Sequence, residues 1–283
     1  MGSKPSKTEE KKPKEEPAKT QAPKEEPKKA TPPPTTATSQ PSLSEVKIPF
    51  QQLPSKSKVL MRQLYEEESW TYTFLLADED SKEAVIIDPV KETFERDCAI
   101  IDDLGLKLLY ALNTHVHADH ITSAASLREK YGCKTAVGAL GGAKPDLPLE
   151  HGMKIEFGKH HLECRYTPGH TDGCMTFVLD DQSMAFTGDA LLIRGCGRTD
   201  FQAGSSEKLY DSIHQQIFTL PDNCILYPGH DYKGRDCTVV WEEKKFNPRL
   251  TKDKAGFVEL MANLGLPHPK KIKESVPANL ELS

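Results

Sequence analysis

The sequence predicts an α/β fold, a layered domain behind a disordered N-terminal tail, on the strength of its element alternation, a shift in composition and its length. From Val46 onward, short apolar runs alternate with stretches of helical periodicity, the pattern of sheets covered by helices. Residues 1–44 hold nine Lys, six Glu and nine of the 21 Pro, with almost nothing large and apolar, so they cannot bury enough surface to fold. In a chain of 283 residues with 37% hydrophobic content, that leaves one full-sized domain over residues 45–283.

The tail's net charge of +3 leaves −8 for the remainder of a chain whose formal charge is −5. It opens Met1-Gly2-Ser3-Lys4-Pro5-Ser6, which matches the pattern for N-myristoylation of Gly2. One acyl chain binds a membrane only marginally, so Lys4, Lys7, Lys11, Lys12 and Lys14 would have to supply a second signal, which the interleaved glutamates weaken. An unmodified spacer is the competing reading. The tail also lacks the Arg-rich, acid-poor composition of a mitochondrial presequence. The expected location is therefore cytoplasmic, with myristoyl anchoring to a membrane surface as an option and a mitochondrial location as the alternative.

Along the domain, Trp70–Ala77 and Ala84–Ile87 read as the strands of a hairpin across the polar turn Asp78-Glu79-Asp80. Pro89 opens a helical stretch in which Phe94, Cys98, Ile101 and Leu104 recur at three- and four-residue spacing until Gly105. Further strands are expected at Lys107–Leu112, Leu162–Tyr166, Met175–Leu179, Met184–Phe186 and Cys224–Leu226. Further helices are expected at Ile121–Tyr131, Glu207–Phe218 and Lys254–Leu264, the second with Leu209, Ile213 and Ile217 on one stripe.

The acidic balance argues against a nucleic-acid partner, which needs clustered basic side chains, and favours a small-molecule substrate. No run of about 18 apolar residues is present to span a membrane. The seven cysteines are scattered without a CxxC pair, which suits reduced thiols that mostly fill the core.

The chemistry concentrates in Thr114-His115-Val116-His117-Ala118-Asp119-His120, after an apolar strand and before a helix. In extended backbone His115 and His117 project to one side, and Asp119 and His120 follow at the turn into the helix. Imidazoles and a carboxylate so crowded repel and desolvate one another unless one or two cations share their lone pairs. His170 in Pro168-Gly169-His170, Asp189 in Gly188-Asp189 and His230 in Gly229-His230 also follow short apolar runs, each beside a glycine that permits close backbone approach. His151, His160, His161, His214 and His268 lack that setting and read as surface or structural residues.

These motifs, in this order, resemble the metallo-β-lactamase superfamily, which implies a four-layer αββα sandwich with its site at one edge of two packed sheets. The stretch Phe186–Phe201 is similar to the persulfide dioxygenase family, as are Asn247-Pro248-Arg249-Leu250 and Val276-Pro277-Ala278-Asn279-Leu280. The resemblance makes 45–283 a catalytic domain and implies one ferrous iron, Fe(2+), per chain on His115, His170 and Asp189. Two imidazoles and a carboxylate on one face leave positions where dioxygen and a persulfide sulfur can meet. It further implies oxidation of glutathione persulfide with O2 to sulfite and glutathione, in sulfide catabolism. His117, Asp119, His120 and His230 would then orient ligands and water. Arg198 and Tyr232 match positions used around the glutathione tail, where a guanidinium fork suits a carboxylate. A solvent-facing salt bridge is the competing role for Arg198, and Cys196 is read as either a packing residue or a neighbour of the sulfur path. The rival reading is a glyoxalase II-like thioester hydrolase with two zinc ions. Peripheral membrane association through the tail and a homodimer are both compatible with the expected activity.

Overall fold

In a computed structural model the described residues are Gly2, 59–267 and 269–282. The rest of the tail expected to be disordered, with its basic residues, and His268 lie outside them, and Gly2 is exposed. One six-stranded sheet has the order β1 (Val59–Glu66), β2 (Thr71–Asp78), β3 (Glu83–Ile87), β4 (Lys107–Leu112), β5 (Lys134–Gly138), β6 (Leu147–Leu149). The other runs β12 (Thr238–Val239), β11 (Ile225–Pro228), β10 (Met184–Gly188), β9 (Met175–Leu179), β8 (His160–Tyr166), β7 (Lys154–Phe157). Six helices cover them: α1 (Phe94–Asp103), α2 (Ala124–Tyr131), α3 (Ser206–Ser212), α4 (Val240–Phe246), α5 (Lys254–Ala262) and α6 (Ile272–Glu281).

Strand alternation divides the core into three. Tyr72, Phe74 and Leu76 of β2 and Val85 and Ile87 of β3 meet Met175, Phe177, Leu179, Met184 and Phe186 of β9 and β10 between the sheets. The neighbouring residues Leu75, Ala77, Ala84 and Ile86 point the other way, onto Cys98, Ile101 and Leu127 of α1 and α2. Val178, Ala185 and Leu226 likewise turn toward Leu209, Val240 and Phe257 of α3, α4 and α5. Strands apolar on both faces bury each side in a different layer, and the result is the αββα sandwich. Each large side chain so buried contributes about 1.5–3 kcal/mol.

Several expected boundaries move. The first hairpin strand begins at Thr71, because Trp70 takes a left-handed turn at φ 64°. Pro89 does not open the first helix; a 3-10 turn over Lys91–Thr93 precedes α1. The helix expected from Ile121 starts at Ala124. The helix expected over Glu207–Phe218 changes at Ile213 into a π turn, and the one expected to reach Leu264 stops at Ala262. No helix among the described residues is long and apolar enough to cross a membrane.

Asp97, in the first turn of α1, is fully buried against Arg96 at 2.8 Å. Burial outweighs Arg96 and pushes its carboxyl up from 3.8 to about 6. An acid raised in the folded state binds its proton more tightly there, so the stability it contributes is complete below pH 3.8 and is lost as pH rises through about 6. A shift of this size corresponds to about 3 kcal/mol at most. Asp97→Asn is expected to raise Tm by roughly 3–6 °C at about pH 7.5 and by only about half as much at about pH 5. An equal change at both, measured by calorimetry, would contradict the assignment.

Candidate metal centre

The chemical residues converge because they follow strand ends. β4, β8, β10 and β11 end at Leu112, Tyr166, Gly188 and Pro228, and the segments after them carry His115, His170, Asp189 and His230. β10 pairs parallel with β11, and β8 and β10 are each antiparallel to β9, so three of these segments leave the second sheet at one end. The first sheet is tied to the same place by Tyr72 N–H donating to Gly229 O at 2.9 Å. Gly188, at φ 49°, lets Asp189 approach: a Cβ there would sit 2.5 Å from Thr114 Oγ1.

Two clusters result. Ligand atoms of His115, His170 and Asp189 all lie within 4.8 Å of one another, and so do those of His117, Asp119 and His230. Asp189 faces both, with Oδ2 at 3.6 Å from His170 Nε2 and Oδ1 at 3.5 Å from His230 Nε2. His170 donates Nδ1–H to Arg198 O at 2.7 Å, which leaves the Nε2 lone pair for a ligand role. His117 Nε2 binds Asp88 Oδ1 at 3.0 Å, and His120 Nδ1 binds Asp119 Oδ2 at 2.9 Å. Asp189 Oδ1, His117 Nδ1 and His120 Nε2 are buried without a hydrogen-bond partner. Buried lone pairs of this kind, aimed inward from two clusters, fit a bound cation.

The electrostatics agree. Burial, then the neighbouring His117 and His170, hold His115 well below its ordinary value, so its imidazole is neutral and free to ligate. Burial opposes ionisation of Asp119, yet His120 and then His230 draw it well below the carboxylate range. His230 rises because Asp189 and Asp119 outweigh its burial.

Asp88 escaped the sequence reading. It takes a left-handed φ of 50°, accepts Thr114 N–H at 2.7 Å and Thr114 Oγ1–H at 2.8 Å, and holds His117. Its one signal is a polar residue closing the apolar run Ala84–Ile87, the setting shared by the ligand candidates.

The centre opens into a cavity of about 640 Å³ reached by Asp119, His170, Asp189, His230, Tyr232 and Arg249, among others. Tyr232 and Trp70 stand at its mouth, exposed, with ring centroids 6.1 Å apart. Arg198 lines it as expected, but its guanidinium fork already grips Asp200 at 2.7 and 2.8 Å and donates to Pro267 O at 2.6 Å. Arg249 uses Nη1 on Cys196 O at 2.9 Å and also faces the cavity. Cys196 is 3% exposed and its thiol is pushed up to about 11 by burial, so it packs as a neutral thiol against Met261.

The Metallo-beta-lactamase superfamily profile matches residues 71–230. The chain is 57% identical over 231 residues to the mitochondrial persulfide dioxygenase ETHE1 of Mus musculus, covering 81% of this chain and 91% of that protein. The chain belongs to the persulfide dioxygenase family. Its counterpart in Homo sapiens is 56% identical over 227 residues, covering 80% of this chain and 89% of that one. The crystal structure of ETHE1 from Myxococcus xanthus superposes with a TM-score of 0.76 at 46% identity, over 78% of this chain and 97% of that one.

Proposed function

We propose that this protein is an iron-dependent persulfide dioxygenase that oxidises glutathione persulfide with O2 to sulfite and glutathione. The observation that carries the reading is the group His115, His170 and Asp189, the last two lining an open cavity, in a chain more than half identical to named persulfide dioxygenases. Two imidazoles and one carboxylate are the donor set of non-haem iron oxygenases, and one ferrous ion there would supply adjacent sites for gas and sulfur. His115 presents a neutral imidazole. His170 is held in one tautomer by Arg198 O. Leu192, Ala118 and Cys196 give the cavity apolar wall that excludes water, while Arg249 and Tyr232 offer a cation and a phenol to the carboxylates of the peptide tail. Arg198, paired with Asp200, acts there by holding the wall and the His170 ring.

His117, Asp119, His120 and His230 serve in this reading to orient ligands and water. The relatives give no support to the thioester-hydrolase alternative. They are named mitochondrial, which favours that compartment over a cytoplasmic, myristoyl-anchored one. Iron-loaded protein is expected to consume O2 and release sulfite when glutathione persulfide is added in an oxygen-electrode cell. Persulfide left intact, with no oxygen uptake, would defeat the proposal.

A further inference from the structure

Between the end of β4 at Leu112 and the start of α2 at Ala124 the chain forms neither helix nor strand, yet His115, His117 and His120 within it are buried. Irregular backbone cut off from water needs partners for its N–H and C=O groups, and this segment cannot supply them itself. Its ends are held by Asp88 and by neighbouring backbone, as in Asn113 N–H to Ala136 O, and three further bonds come from the far end of the sequence. Asn279, in α6 and 3% exposed, donates from Nδ2 to His117 O at 3.0 Å and to His120 O at 2.8 Å. Its Oδ1 accepts Thr122 N–H at 2.9 Å. All three of its side-chain bonds go to the ligand segment, and none to its own helix. On the opposite side Gln202 Nε2 donates to Val116 O at 2.8 Å, from a backbone held at a left-handed φ of 47°. The helix that presents Asn279 is anchored separately, through Lys144 N–H to Leu280 O at 2.9 Å and the Lys144–Glu281 ion pair at 2.8 Å.

We infer that Asn279 is a positioning residue of the metal centre, a clamp by which the C-terminal helix sets the backbone from which His115, His117 and His120 project. The inference rests on the reading of His115 as a metal ligand. A side chain on extended or irregular backbone is aimed by its own φ and ψ, so freeing two carbonyls and one N–H lets the imidazoles swing. Outer partners of this kind orient ligands, and their loss costs about 10- to 100-fold in metal affinity.

The test is an anaerobic titration of full-length apoprotein with ferrous ion against a chromogenic chelator, alongside a thermal melt. Asn279→Ala is expected to bind ferrous ion about 10- to 100-fold more weakly. Ile101→Val, which loosens the core under α1 without touching the segment, is expected to lower Tm and leave affinity unchanged. Asn279→Gln keeps the amide but displaces it by one methylene, and the same weakening is expected in it should the alanine variant fail to fold. Wild-type affinity in either folded Asn279 variant overturns the clamp, even with a lowered Tm. Zinc is titrated in parallel. A wild-type chain that takes zinc and refuses ferrous ion defeats the iron reading, and the clamp is then judged by the same loss of affinity for zinc.

Discussion

Asp189→Ala is expected to empty the proposed ferrous site and to lower persulfide-dependent oxygen uptake on the order of a thousandfold. Asp189 is the carboxylate that reaches toward both ligand clusters, and its Oδ1 is buried with no hydrogen-bond partner. Without it His115 and His170 present two imidazoles to a cation and no compensating charge. Loss of a metal's contribution to a reaction amounts to several kcal/mol, and about 4 kcal/mol is a factor of roughly a thousand in rate. The fold is expected to survive, because Asp189 O, which accepts Gly197 N–H at 2.7 Å, belongs to the backbone and is untouched. Metal analysis, a melting curve and an oxygen electrode on the same preparation separate the effects. Retention of stoichiometric iron and of turnover would remove Asp189 from the ligand set.

Metal exchange should have an equally large effect. Chelation under anaerobic conditions is expected to abolish oxygen uptake, and ferrous ion is expected to restore it at one ion per chain. Zinc should occupy the centre and restore nothing, since it has no redox chemistry to offer dioxygen. His117, Asp119 and His230 make this experiment a sharp one, because their ligand atoms also fall within 4.8 Å of one another. Two zinc ions per chain, with rapid cleavage of a glutathione thioester, would favour the hydrolase over the dioxygenase.

Much of the architecture was legible because its signals are local. Lys107–Leu112 and Met175–Leu179 were read at the bounds that β4 and β9 take, each a short apolar run with polar punctuation. β1 was not, since its side chains are mostly half-buried at a sheet edge and Val59–Glu66 shows no clean alternation. α6 carries Pro277 inside it, which argues against a helix in any local reading. The fork of Arg198 was foreseen for a substrate carboxylate, whereas Asp200, two residues away, occupies it.

His115, His117, Asp119, His120, His170, Asp189 and His230 are legible as candidates in the chain itself, because ligand chemistry is a property of residue type and strand-end position. The partners of those residues were settled by folding. Asp88 meets His117 across 29 positions and Asn279 meets His117 across 162, and in a single sequence an isolated Asp or Asn looks like any turn or surface residue. A hydrogen bond depends on distance and direction in space, and both exist only after the sheets and helices have packed.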